Sequence, residues 1–242
     1  MKTTPFNFEL KDIYNNKLCE KNGYSMKFLP RTAHWRERDD GLAMFVNENR
    51  FCIQDYQSIL FHDCGDRVAQ LMLLTTHSQN NIPPQQFICV NTHLLFPHNT
   101  YSTKIRLREV TKIMGFVESY KQVALCSTIC GRSDIRLPVI IAGDFNGSPR
   151  GNVFKLLETQ NYRSAIKEYC LQDTESSNAT SSITSTSSSG SDNDMDKMES
   201  TNDINHGDKS LMLENWISHK SHLNVNVPVD QVFYLNPSEQ VQ

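Results

Sequence analysis

The run Leu137-Pro138-Val139-Ile140-Ile141-Ala142-Gly143-Asp144-Phe145-Asn146-Gly147-Ser148 sets the tightest limit on what this chain can fold into. Its first half is apolar and β-branched with no polar alternation, the pattern of a strand buried on both faces and therefore of a sheet covered by helices. The strand reads to an end at Gly143, after which polar residues flank Phe145. On an extended chain Asp144 and Asn146 point the same way, because side-chain direction repeats every two residues. A carboxylate and a carboxamide leaving a rigid strand side by side are suited to activating water and holding a phosphoryl oxygen. The same residue types are common in plain turns, so the run gains force only from its company.

Two further stretches supply that company. Asn91-Thr92-His93 closes a strand reading Phe87 to Thr92, with Asn91 and His93 on one face. Val229-Asp230-Gln231-Val232-Phe233-Tyr234 brings an aspartate into an apolar strand, costly to bury unless it is paired. Other strands are predicted at Leu42–Val46, Phe51–Phe61 and Arg67–Leu74, and the last at Val229–Leu235. Leu10, Ile13, Tyr14 and Leu18 predict an early amphipathic helix, followed by a turn at Asn22-Gly23. Ile105–Val123 reads as a helix with Val110, Ile113, Met114 and Val117 on one face. Ser148 reads as the cap of another, with Pro149 at its first position and Val153, Leu156 and Leu157 as its buried stripe. Strands and helices in this order predict an α/β fold.

Composition bears on partners and compartment. From Gln172 to Ser210 the chain has no aromatic residue and carries eight acidic and two basic residues, so this tract holds −6 of a net charge of −3 and the rest is +3. Too little apolar surface lies there to offset ordering, which predicts a disordered insertion at 172–210 looped out of one domain made from 1–171 and 211–242. Asp192, Asp194 and Asp196 start like a calcium loop, but Lys197 and Asp203 stand where glycine and glutamate are needed. Seven cysteines with no paired spacing do not suggest a disulfide framework, and Cys126 and Cys130 lack histidines for a zinc site. With no leader and no apolar run near the ~20 residues that span a bilayer, the expectation is an intracellular, cytoplasmic protein with no membrane partner.

The motifs in order resemble a known family. Asn91-Thr92-His93-Leu94, Gly143-Asp144-Phe145-Asn146, and Asp230 ahead of Val232-Phe233-Tyr234 look like the ordered motifs of the endonuclease/exonuclease/phosphatase superfamily. Arg38-Asp39-Asp40-Gly41-Leu42-Ala43 is similar to its Asp-Gly segment opening an earlier strand. The stretch from Gly143 to Leu157 looks most like the branch of nocturnin and the carbon catabolite repressor deadenylases. The string Asn-Thr-His-Leu-Leu-Phe-Pro-His at 91–98 resembles still more closely a plant-type group sometimes joined to EF-hands.

The resemblance implies a DNase I-like two-sheet α/β sandwich flanked by helices, with a Mg2+ (or Mn2+) site at one edge where a metal-organised water attacks phosphorus. It implies that Asp144 acts on the water or leaving oxygen and serves the metal directly or indirectly. Asn146 holds a non-bridging phosphate oxygen. His93 donates to the scissile phosphate, with Asp40 as the partner that fixes its tautomer. Asp230 matches an aspartate that orients a second histidine, and Asn91 supports Asp144 or the phosphate. Two departures stand out. Only Met1–Phe6 precede the first helix, where a strand carrying the metal-binding glutamate belongs, and no closing Asp-His pair follows before Gln242. The sequence therefore predicts a domain incomplete at both termini. The expected function is a metal-dependent phosphoester hydrolase acting on RNA or nucleotides, as a deadenylase-like RNA 3′-exonuclease or a nucleotide phosphatase. The alternatives are a sphingomyelinase-like phosphodiesterase and a non-catalytic phosphate- or nucleic-acid-binding remnant. Phe96, His98, Tyr101 and Arg150 are the candidates for contacting a base.

Overall fold

A computed structural model describes residues 14–32, 40–78, 82–127, 137–169, 218–220, 226–227 and 229–236. The tract 172–210, with its expected disorder and its aspartates, lies outside them, as do Leu10, Ile13 and Cys130.

The apolar run becomes β6 (Val139–Asp144), an inner strand of a six-stranded sheet. The other members are β3 (Phe51–Leu60), β4 (Val68–Thr76), β5 (Gln86–His93), β7 (Arg163–Ser164) and β10 (Asp230–Leu235), in the order β3-β4-β5-β6-β10-β7. Strands β3, β4 and β5 form an antiparallel meander, with a bulge between Ile53 and Asp55. Strand β6 then runs parallel to β5. A parallel neighbour needs a crossover connection, and the long helix α1 (Ser102–Ser127) supplies it. Strand β10 returns antiparallel and inserts between β6 and β7.

Alternation along β5 divides the molecule into layers. Ile88 and Val90 point to the helices, where they pack with Val139 and Ile141 of β6 and Val110, Ile113 and Val117 of α1. Helix α2 (Asn152–Thr159) adds Val153, Phe154 and Leu157 to the same core. Phe87 and Cys89 point the other way, against a smaller core built around Met44, Val46, Met72 and Leu74. That second layer is a hairpin of β1 (Tyr24–Pro30) and β2 (Gly41–Asn47), paired antiparallel. A further small pair joins β8 (His219–Lys220) and β9 (Asn226–Val227). The two-sheet α/β architecture expected from the sequence is present, with the helices on one side of the larger sheet.

Three details differ from the sequence reading. Strand β1 was not foreseen: it alternates poorly in burial, has β2 as its one ladder partner among the described residues and ends at Pro30, which suits an edge. Helix α2 starts at Asn152 with Gly151 as an extended cap that makes no side-chain bond. Ser148 is not the cap because its carbonyl closes a turn, accepting from Gly151 N–H at 2.8 Å. Near the start, Asn15–Glu20 winds as a short π-helical segment, and Gly23 turns the chain into β1 with φ 67°.

Candidate active site

Strand register alone draws three of the expected residues into one row. His93 is the partner of Asp144 across the parallel β5–β6 pair, and Asp230 is the partner of Asp144 across the antiparallel β6–β10 pair. All three stand at one edge, where His93 and Asp144 close their strands and Asp230 opens β10, on the face turned away from the helices, because Thr92, Phe233 and Ile141 occupy the alternate positions. The row depends on Gly143, whose φ is 143° and whose missing Cβ would collide with the carbonyl of Thr92. No residue with a side chain fits that approach.

The chain then bends at Asn146, which adopts the left-handed conformation with φ 47°. Its backbone N–H donates to Asp144 Oδ1 at 2.8 Å, a short aspartate turn that fixes the carboxylate. Its buried amide Nδ2 donates to the Leu94 carbonyl at 2.9 Å, tying the β6 exit to the β5 exit. Phe145, between them, turns inward against Phe233. Asp144 Oδ2 is left facing His93 Nε2 at 3.5 Å, and the two side chains keep 29% and 42% exposure, enough for a ligand to reach both. Asp230 is exposed opposite them, with its backbone N–H donating to Ser218 Oγ.

Burial holds the His93 ring below the ordinary histidine pKa, and the nearby Arg67 guanidinium acts in the same direction. Asp144 pulls it up, Arg31 down and Asp40 up, each by less. The net result favours neutral imidazole at neutral pH, with one nitrogen donating and the other accepting. Asp40 itself is ion-paired with buried Arg31, whose Nε lies 3.3 Å from Asp40 Oδ2, and Arg31 also reaches Asp66. The carboxylate within reach of the imidazole is thus Asp144, and Asp40 acts on the ring only through space. Asn91 shares the His93 face two residues back. Its Nδ2 donates to Ala43 O and Gln70 Oε1, both at 3.3 Å, and Gln70 reaches on to Lys27 O and Tyr56. Asn91 therefore bridges the two sheets.

Beyond His93, Phe96 is half-exposed against the ring of His98, and Tyr101 is exposed beneath Lys104. Arg150 lies in the turn before α2. Two site-supporting residues escaped the sequence reading. Glu109 Oε2 accepts from Leu95 N–H at 2.9 Å, and Arg106 Nη1 donates to Leu95 O at 3.2 Å. Both are buried on α1. Their signal was legible: 106, 109, 110, 113 and 117 form one helical stripe, and two of its members are charged.

Among the described residues, no group of three His, Cys, Asp or Glu side chains converges to hold a metal ion. Asp144 and Asp230, register partners across β6 and β10, are two carboxylates of the kind that hold Mg2+ jointly with a substrate's phosphate oxygens. The donor chemistry fits an ion of that sort and not a closed protein cage. The four described cysteines are free thiols, and no described helix is long and apolar enough to cross a membrane.

No family model matches the chain. An uncharacterized calcium-binding protein of Arabidopsis thaliana is 36% identical over 171 residues, covering 67% of this chain and 32% of that protein. Carbon catabolite repressor protein 4 homolog 3 of the same plant is 28% identical over 144 residues, covering 58% of this chain and 28% of that one. The chain thus spans about a third of the length of these curated relatives. The human nocturnin catalytic domain, solved with a bound sulfate, superposes with a TM-score of 0.50 at 23% identity, over 64% of this chain and 57% of that one, a likeness of fold. With its motifs in order at one sheet edge, the chain has sequence relatives and fold neighbours that are endonuclease/exonuclease/phosphatase proteins of the nocturnin and carbon catabolite repressor 4-like branch.

Proposed function

We propose that this chain is a metal-dependent phosphoester hydrolase acting on RNA or nucleotides, either as a deadenylase-like RNA 3′-exonuclease or as a nucleotide phosphatase. The observation that carries the reading is the row His93–Asp144–Asp230 at one edge of three adjacent strands, the exits of β5 and β6 and the entry of β10, with Asn146 locked beside it. Asp144 is the base that orients or deprotonates the attacking water. Its Oδ1 is held by the Asn146 backbone, which leaves Oδ2 for the water. His93, neutral and half-exposed, donates one N–H to a phosphate oxygen. Asn146 supports both strand exits and offers its amide edge to the phosphate, and Asn91 keeps the His93 face rigid from behind. Asp144 and Asp230 are the residues that would hold Mg2+ or Mn2+. When bound, such an ion lowers the pKa of water and stabilises charge growing on phosphorus oxygens. The retention of a buried polar support behind partly exposed His93 and Asp144 favours this reading over a bare phosphate-binding module.

The test is to incubate the full chain with 3′-labelled oligoadenylate and with dinucleotide phosphates, in Mg2+ and in chelator. Hydrolysis is expected in Mg2+ alone, with Asp144→Ala slowing it by about a hundredfold or more. Product that forms equally in chelator, or survives Asp144→Ala, overturns the mechanism. Oligoadenylate binding without turnover identifies a binding module instead.

A further inference from the structure

Four consecutive backbone groups follow His93 with no ladder to satisfy them, since residues 94–97 belong to no strand or helix. Leu94 N–H donates to the Asp144 carbonyl at 2.9 Å, and Leu94 O accepts from Asn146 Nδ2. Leu95 N–H donates to Glu109 Oε2, and Leu95 O accepts from Arg106 Nη1. The first two bonds are made with the exit of β6, at Asp144 and Asn146, and the last two with one turn of α1. We propose that Glu109, together with Arg106, is a positioning residue that clamps the segment after His93 and so fixes the His93 ring against Asp144. The structural part stands on these bonds alone, whereas its catalytic consequence rests on the hydrolase reading above.

The cost of the arrangement argues that it has a purpose. Glu109 is fully buried, and its Oε1 finds no hydrogen-bond partner, as is true of the nearby Arg106 Nε and Arg67 Nε. Burying a carboxylate is expensive, and a residue needed only for packing beside Val110, Ile113 and Val117 would be apolar. What the carboxylate adds is an acceptor for Leu95 N–H that strand β6 cannot supply, because β6 ends at Asp144. Arg106 is fixed in turn by Nη2 donating to Thr103 Oγ1 at 3.1 Å, so the clamp is anchored at the start of the helix. Leu95 lies two residues from His93, and a small displacement there changes the 3.5 Å separation of the ring from Asp144.

The experiment compares Glu109→Gln, which keeps an oxygen acceptor, with Glu109→Leu, which fills similar space without one. On oligoadenylate in Mg2+, the Leu variant is expected to lose about 10- to 100-fold in kcat with KM within about threefold, the signature of a misplaced group and not of lost binding. The Gln variant should stay within about threefold of the parent in both. Leu95 amide hydrogen exchange should accelerate in the Leu variant and stay slow in the Gln variant. A folded Leu variant with unchanged kcat and unchanged Leu95 exchange overturns the proposal, as does a Gln variant as impaired as the Leu one. If Glu109→Leu does not fold, Arg106→Met is the second arm, with the same kcat loss and faster Leu95 exchange expected and parent-like values refuting. If the parent hydrolyses nothing, the function has failed, and Leu95 exchange in the two Glu109 variants still decides the clamp.

Discussion

His93 and Asp144 are register partners across the parallel pair β5–β6, and their side chains meet at 3.5 Å between Nε2 and Oδ2. Neither residue is delivered by a flexible loop. Each is the last residue of a strand, so their separation is set by sheet geometry. That lets the carboxylate bear on the protonation of the ring, and the effect has a sign. Burial and Arg67 lower the ring's pKa while Asp144 raises it. Asp144→Asn should therefore lower the His93 midpoint further, and Arg67→Gln should raise it. Proton–carbon NMR of the imidazole reads both. A parent midpoint above the ordinary histidine value, or a rise in Asp144→Asn, contradicts the arrangement.

Asn146 combines a left-handed backbone with a buried amide on Leu94 O. Alanine there strands a buried carbonyl and disfavours the φ, and the expected loss is about 1–3 kcal/mol for the carbonyl alone. Aspartate in its place faces an acceptor with an acceptor and should cost more. Urea unfolding measures each, and an alanine variant as stable as the parent would show that the two exits are not tied through this amide.

Gly143→Ala brings a Cβ into the Thr92 carbonyl at a strained φ. Backbone is the obstacle, so no rotamer change relieves it. The variant is expected to lose the cooperative unfolding transition or to shift it strongly downward in a thermal melt. A parent-like melt would mean that β5 and β6 do not approach as described.

Burial pushes the Glu109 carboxyl up to about 7 from an ordinary 4.5; Leu95 N–H, Arg67 and Arg106 oppose that rise, and Asp66 adds to it. Cys64 also faces this carboxyl. The folded state thus holds a proton that the unfolded chain has released between these values. Stability linked to Glu109 is fully present below about 4.5 and is lost as pH rises through about 7, by up to ~3 kcal/mol. Glu109→Gln carries no such proton. Its stability relative to the parent should rise between about pH 5 and about pH 8 in urea unfolding, and a difference that is flat across that range refutes the shift.

The strands that carry the site were readable because their sequences encode it twice. Val139–Ala142 marks a doubly buried strand by its apolar run, and Asn91 and His93 mark a face by alternation. Helix α1 declared itself through Val110, Ile113 and Val117. What the sequence did not reveal depends on partners distant along the chain. Among the described residues strand β1 pairs only with β2, and its residues show no strong alternation. Ser148 looked like a cap because its type and the following proline suit one, yet the chain first needs a turn to leave the sheet. Asp40 was matched to His93 by motif, but buried Arg31 needs a counter-ion and lies nearer. Glu109 and Arg106 lie on the buried stripe of α1, but their partner Leu95 is brought beside them only by the fold.

The position of β10 carries a consequence for biosynthesis. His93, Asp144 and Asn146 leave the ribosome long before Asp230, which comes 86 residues after Asp144. Until β10 is made, the flank of β6 that it later covers is an open edge of apolar, β-branched sequence, the kind of template that recruits other chains. A nascent chain arrested before residue 230 would thus be sticky as well as chemically incomplete. Closing that edge and delivering the last acid of the row are the same event.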